Sequence, residues 1–222
     1  MKGILLDIEG TTTPIAFVHD VLFTYAREHV REFLDKNSAA DDIALLRDEH
    51  AVDVKEGRNP PPLTAEYVEW LIALDRKSTG LKSLQGKIWR QGYEEGSLQA
   101  QVFADVAPAF ERWSERGCKI SIFSSGSVLA QQLLFAHTEV GDLTRFIDSY
   151  FDTNVGKKGD ADSYRRIAEA IDLEPEQILF ISDVVAELDA ANRAGMKTIL
   201  SIRPCNEPQP QYPSIRSFDE IR

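Results

Sequence analysis

Three short apolar runs, each ending abruptly in polar residues, constrain this chain most. They are "GILLD" from Gly3, "CKISIFSS" from Cys118 and "ILFISD" from Ile178. Runs of this length without polar alternation suit strands covered on both faces, which is the setting of a parallel sheet. A fourth run, "KTILSI" (Lys197 to Ile202), follows a helix that Gly195 is placed to terminate. Val106 to Arg116 reads as a helix closed by Gly117, and Ser163 to Ile171 as another. Strands alternating with helices predict a doubly wound, mostly parallel α/β sheet.

Between the first two runs, about a hundred residues carry almost no strand signal. Val18, Val21, Leu22, Tyr25, Val30, Phe33 and Leu34 recur at helical spacing, and "DDIALLRDEH", "TAEYVEWLIALDRKS" and "LKSLQGKIWRQGY" continue it. "NPPP" breaks the middle of the region. The expectation is an insertion of about four helices over 15–104, with 1–14 and 105–222 forming the α/β core. The proline-rich "RPCNEPQPQYP" is expected to be a loop over the surface.

A chain of 222 residues can bury one large core and still carry such an insertion. Its net charge of −11 argues against nucleic acid or an anionic membrane as partner. A phosphate bound by so acidic a protein must be held by a local lysine or by backbone amides. Cys118 and Cys205 have no metal-ligand spacing and read as incidental thiols of a reduced intracellular protein. The apolar run after Lys2 is too short for a signal peptide and no stretch approaches a membrane span, so a cytoplasmic protein is expected. His19, His29, His50 and His137 form no ligand spacing and read as surface or packing residues.

In an open parallel sheet, ligands gather at the carboxyl ends of the strands. Here those ends carry Asp7 and Glu9, then Ser124 and Ser125, then Asp183. Asp7 could attack a phosphorus atom if a cation screened the repulsion between carboxylate and phosphate, and Asp183 could be a second ligand of that cation. Oxygen ligands and a phosphate favour Mg²⁺ over a softer metal. Ser124 and Ser125, followed by Gly126, end a strand and open a helix, where a hydroxyl and backbone amides can hold a phosphate oxygen. Lys157 and Lys158 could each neutralise charge on the phosphoryl group and on Asp7. Glu9 is placed to handle a proton as the leaving group departs and water attacks.

The ordered set "DIEGT", "IFSSG", Lys158 and "ISDVVAE" resembles the haloacid-dehalogenase-like phosphohydrolases. More narrowly, "DIEGTTTPI", "LQGKIWRQGY", "SSGSVLAQQLLF", "YFDT" and "ILFISDVVAELDAA" followed by "RP" resemble the enolase-phosphatases of methionine salvage over nearly the whole chain. The resemblance implies one Mg²⁺ per subunit on Asp7, Asp183 and the residue at Glu9, often through its backbone carbonyl. It implies a phosphate site at Ser124 and Ser125, and it selects Lys158 over Lys157 as the catalytic lysine. Glu187 falls where the superfamily often has a second acid, behind the metal ligands. Most phosphatases of the superfamily have aspartate at the position of Glu9; glutamate agrees with the narrower group.

The implied reaction enolises 2,3-diketo-5-methylthiopentyl-1-phosphate and then dephosphorylates it to an acireductone, with Asp7 as nucleophile. The implied protein is a monomer whose partner is that small phosphorylated diketone. A phosphatase of another small phosphorylated metabolite is the alternative, because a cap can diverge while core motifs persist. Lys87, Trp89 and Tyr93 are candidates to line the substrate pocket, against helix packing or solvent exposure. A phospho-acceptor signalling domain fits less well: its acceptor aspartate ends a middle strand, where this chain has serines.

Overall fold

The computed structural model describes residues 1–36, 40–74, 76, 78–204 and 206–221; Cys205 lies outside the described residues. In chain order the elements are β1 (Gly3–Leu6), α1 (Thr24–Lys36), α2 (Ala40–Lys55), α3 (Ala65–Ala73), α4 (Thr79–Glu94), α5 (Val106–Glu115) and β2 (Lys119–Phe123). They continue as α6 (Val128–Ala136), β3 (Ser149–Phe151), α7 (Ala161–Ala170), β4 (Ile178–Ser182), α8 (Val185–Arg193), β5 (Lys197–Ser201) and β6 (Ser214–Ile215). The chain divides into two compact units, one of Met1–Phe17 with Gln99–Arg222 and one of Val18–Leu98. Among the described residues no helix is long and apolar enough to cross a membrane.

In the first unit the described strands form one parallel sheet in the order β3-β2-β1-β4-β5-β6. The four apolar runs of the sequence are β1, β2, β4 and β5. Every residue of β1 and β4 is buried, as continuous hydrophobicity requires of strands flanked on both sides. Leu5, Phe123, Phe180 and Leu200 pack with Tyr164 and Ile167 of α7 and with Leu188 of α8. A second aromatic group joins Phe110 and Trp113 of α5 to Phe135 of α6 and to Phe218, with ring centroids 5.3–6.2 Å apart. The strands that the sequence did not announce are β3 and β6. They are three and two residues long, flank the sheet, and are too short to write a hydrophobic pattern.

The second unit contains α1 to α4, preceded by a π-helical stretch over Phe17–Phe23 that begins at its boundary. Its second helix is turned against the usual pattern. Leu45, Val52 and Val54 of α2 are exposed, while Asp42 and Asp53 are buried. Asp42 accepts from Ser83 Oγ at 2.6 Å and from Lys87 Nζ at 2.6 Å. Glu49 accepts from Gly80 N–H at 3.2 Å, at the start of α4. Asp53 accepts from Tyr67 Oη at 2.8 Å, Arg58 at 2.5 Å and Arg76 at 3.1 Å. Three acids spaced at i, i+7 and i+11 share one helix face, so α2 is joined to α4 and to the surrounding loops by charge as well as by Leu46.

Burial alone would push the Asp53 carboxyl up, but hydrogen bonds from Tyr67, Arg58 and Arg76 outweigh it and hold the group below its ordinary value. A carboxyl depressed in the folded state stabilises above its unfolded pKa of about 3.9, and that contribution is lost as the pH falls through the lower folded value. Asp53→Ala should therefore lower the free energy of unfolding measured in urea at pH 7, by about 1–3 kcal/mol from the stranded Tyr67 hydroxyl alone. The gap between variant and wild type should narrow as the pH is taken below about 4.

Candidate active site

Sheet order brings the functional strand ends side by side. Leu6 pairs with Ile122 of β2 on one side and Ile181 of β4 on the other, and Asp7 N–H continues the ladder to Ile181 O at 3.1 Å. The chain therefore leaves β1 at Asp7 between Ser124, just past β2, and Asp183, just past β4. Asp7 and Ser124 are both buried, 4% exposed each. Beyond Asp7 the loop folds on Ile8, whose carbonyl receives the N–H groups of Thr11, Thr12 and Thr13 at 2.9–3.2 Å. Gly10 has φ +72°, and a Cβ there would stand 2.3 Å from Asp183 Oδ2. Only glycine satisfies both the left-handed turn and the close approach of that carboxylate.

Lys158 supplies the positive charge. Its Nζ lies 2.5 Å from Asp7 Oδ1 and 2.7 Å from Glu187 Oε2, with the side chain 13% exposed. The segment that carries it is fastened from behind: Tyr164 Oη donates to Lys158 O at 2.8 Å and Ser163 Oγ to Lys157 O at 2.8 Å. Gly156, at φ +138°, lets Ser163 approach so closely that a Cβ would collide with its hydroxyl at 2.2 Å. Glu187 is oriented in turn by Ser182 Oγ, which donates to Oε2 at 3.0 Å and accepts from Val184 N–H at 3.1 Å.

The local electrostatics are those of surplus negative charge in a dry place. Burial, and then the charge of Asp7, pushes Asp183 up to about 6. Burial and Asp7 likewise push Glu187 up to about 7, against the opposing pull of Lys158. Lys158 is raised overall, because Asp7 and Glu187 outweigh the desolvation that would lower it. Asp183 Oδ1 is buried with no hydrogen-bond partner. Surplus carboxylate charge with an uncommitted oxygen suits a hard divalent cation. Among the described residues no three His, Cys, Asp or Glu side chains group closely enough to hold a metal by themselves. A cation on Asp7 and Asp183 would thus complete its shell with a backbone carbonyl, water or substrate, as Mg²⁺ commonly does.

Ser125 is half-buried beside Ser124, Glu9 is half-buried in the loop after β1 and acts electrostatically on Asp183, and Lys157 is exposed. Trp89 and Tyr93 are interior residues of the helical unit, with Trp89 Nε1 donating to Leu22 O at 2.8 Å. Lys87 is committed to Asp42. His29 and His137 each bond a carbonyl one turn back, and His50 bonds Pro61 O.

The residue that sequence reasoning passed over is Arg203, just beyond β5. It donates to Thr11 O from Nε at 3.1 Å and Nη2 at 3.0 Å, pairs with Asp105 at 3.0 Å, and lies over the Phe103 and Phe218 rings. It pins the loop that follows Asp7. The "RP" dipeptide after the strand was its only trace in the sequence.

Similarity to known proteins places the chain in a family. The model of the haloacid dehalogenase-like hydrolase family matches residues 1–195. The enolase-phosphatase E1 of Synechococcus elongatus is 51% identical, covering 98% of this chain and 96% of its own. That of Sorangium cellulosum is 45% identical, covering 99% and 97%. Among solved structures, the UTR4 protein of Saccharomyces cerevisiae superposes with a TM-score of 0.82 at 36% identity, covering 99% of both chains. The chain belongs to the haloacid dehalogenase-like hydrolases and, within them, to the enolase-phosphatase family.

Gly10→Ala should displace the Asp183 carboxylate by about 1 Å while leaving the sheet intact. Phosphate release should fall on the order of 10²-fold with an unchanged far-UV circular dichroism spectrum.

Proposed function

We propose that this protein enolises 2,3-diketo-5-methylthiopentyl-1-phosphate and then hydrolyses the phosphate ester. The products are the acireductone 1,2-dihydroxy-3-keto-5-methylthiopentene and inorganic phosphate, in methionine salvage. The observation that carries the phosphoryl-transfer half is Lys158 held at 2.5 Å from Asp7, with the unpartnered Asp183 oxygen at the neighbouring strand end. The choice of substrate is supported by the two enolase-phosphatases that align end to end with this chain and by Glu9 in the loop after Asp7.

Asp7, Asp183 and the Glu9 backbone carbonyl would hold one Mg²⁺. Bound there, the cation supplies charge neutralisation between carboxylate and phosphate and polarisation of a substrate carbonyl. Enolisation moves one proton from the carbon beside a carbonyl to the oxygen of that carbonyl. In the second half an Asp7 oxygen bonds to phosphorus as the bond from phosphorus to the substrate oxygen breaks, and Glu9 gives that oxygen its proton. Water then attacks the aspartyl-phosphate and yields its proton to Glu9, freeing phosphate and restoring Asp7. Lys158 steadies charge on Asp7 and on the transferring group, and Ser124 and Ser125 hold the phosphate oxygens.

Following the diketone phosphate by absorbance and phosphate release together tests the reading: an enol should accumulate before phosphate appears. Release from other phosphate esters, with no turnover of the diketone, would overturn it. Asp7→Asn should abolish phosphate release, and chelation of Mg²⁺ should do so reversibly. Glu9→Asp should impair enolisation more than hydrolysis of a simple phosphate ester, because the extra methylene of Glu9 is proposed to bring its carboxylate to the proton moved in enolisation, which aspartate would not reach. Equal loss of both would remove that role from Glu9.

A further inference from the structure

Gln131 is a polar side chain in an apolar place. It lies on α6, is 1% exposed, and sits among Leu133, Leu134 and Phe135 in a helix that otherwise buries hydrocarbon. Its amide nitrogen reaches back past the start of its own helix. Nε2 donates to Gly126 O at 2.9 Å and to Phe151 O at 2.8 Å. Both acceptors are backbone carbonyls, so the nitrogen is the atom that must face them. The other half of the amide is not used: Gln131 Oε1 is buried with no hydrogen-bond partner. Leucine or methionine would fill this position without burying an amide oxygen. An amide kept here at that cost points to what its nitrogen holds.

What it holds is the loop Ser124–Gly126. Ser124 N–H donates to the same Phe151 carbonyl at 3.1 Å, and Gly126 N–H donates to Ser124 Oγ at 3.1 Å. The loop is thus closed on itself through the Ser124 hydroxyl and tied at both ends to the end of β3, at Ser124 by its own N–H and at Gly126 through the Gln131 amide. Because Ser124 Oγ accepts from Gly126, its own proton is left for donation to an outside oxygen. Ser127 caps α6 by accepting from Ala130 N–H at 3.3 Å, so the helix start does not depend on Gln131. The amide adds fixed geometry to the loop rather than a reason for the helix to begin.

We infer that Gln131 is a positioning residue for phosphate binding: it holds the Ser124–Ser125 loop in the conformation that receives the phosphoryl oxygens of substrate and the released phosphate. This deepens the assignment of Ser124 and Ser125 proposed above and rests on it. Without the amide, Gly126 O loses that donor and the loop keeps only the Ser124 N–H bond to β3. Affinity for the phosphoryl group should suffer, while metal binding, which draws on β1 and β4, should not.

The test compares wild type, Gln131→Met and Ser124→Ala in the full-length protein at saturating Mg²⁺. It measures there the inhibition constant of inorganic phosphate and KM and kcat for a phosphate ester, and, in a separate Mg²⁺ titration, the concentration giving half-maximal rate. Gln131→Met should raise the phosphate inhibition constant and KM by about three- to tenfold, leaving the Mg²⁺ midpoint unchanged. A role in packing alone would lower the melting temperature and the active fraction, and so kcat, with the inhibition constant unmoved. That result in Gln131→Met, beside a weakened phosphate constant in Ser124→Ala, overturns the inference and leaves the phosphate loop standing. An unchanged constant in Ser124→Ala overturns the loop assignment itself, and the inference with it. Should Gln131→Met not fold, Gln131→Asn keeps a neutral amide too short to reach both carbonyls and is read the same way.

Discussion

Lys158 stands between Asp7 and Glu187 at hydrogen-bonding distance from both, and much of the α/β unit is arranged to keep it there. Three carboxylates, Asp7, Asp183 and Glu187, share a poorly hydrated space with this one ammonium. An unpaired ion of either sign would be costly in such a place, so each member depends on the others. Tyr164 and Ser163 anchor the backbone of the lysine segment, Gly156 makes room for that anchor, and Ser182 orients Glu187. The remaining excess of negative charge raises Asp183 and Glu187, the electrostatic condition that favours a divalent cation.

The helical unit solves a different problem with similar parts. Its α2 faces inward with Asp42, Glu49 and Asp53 and outward with Leu45, Val52 and Val54. Each inward acid meets donors from α3, α4 or a loop, so burial is compensated locally. This is why Lys87, which the sequence offers as a substrate contact, is engaged with Asp42. An ion pair with hydrogen bonds holds helices in one relative arrangement, because its strength depends on direction as well as distance, whereas apolar burial is non-directional.

Much of the fold was legible because it is written in continuous hydrophobicity. The runs at Gly3, Lys119, Ile178 and Lys197 became β1, β2, β4 and β5, and the long helical stretch between the first two became a helical unit. The strands β3 and β6 were not legible: too few residues, too little burial, and pairing that only their neighbours supply. At the site, Asp7, Ser124 and Asp183 could be found because each follows an apolar run. Arg203 and Gln131 could not. Both act through bonds to backbone carbonyls, at Thr11 for Arg203 and at Gly126 and Phe151 for Gln131, and a carbonyl leaves no mark in a sequence.

By itself, then, the sequence determined which residues end the buried strands and that the sheet would be parallel, because burial on both faces selects apolar runs one residue at a time. Only the tertiary structure decided that β2, β1 and β4 lie side by side, so that a serine, a nucleophile candidate and a second acid meet. It also brought Lys158, which the family motif had already selected over Lys157, across 151 residues of chain to Asp7. Strand order and ion pairing depend on packing and desolvation summed over distant partners, which no local run of residues contains.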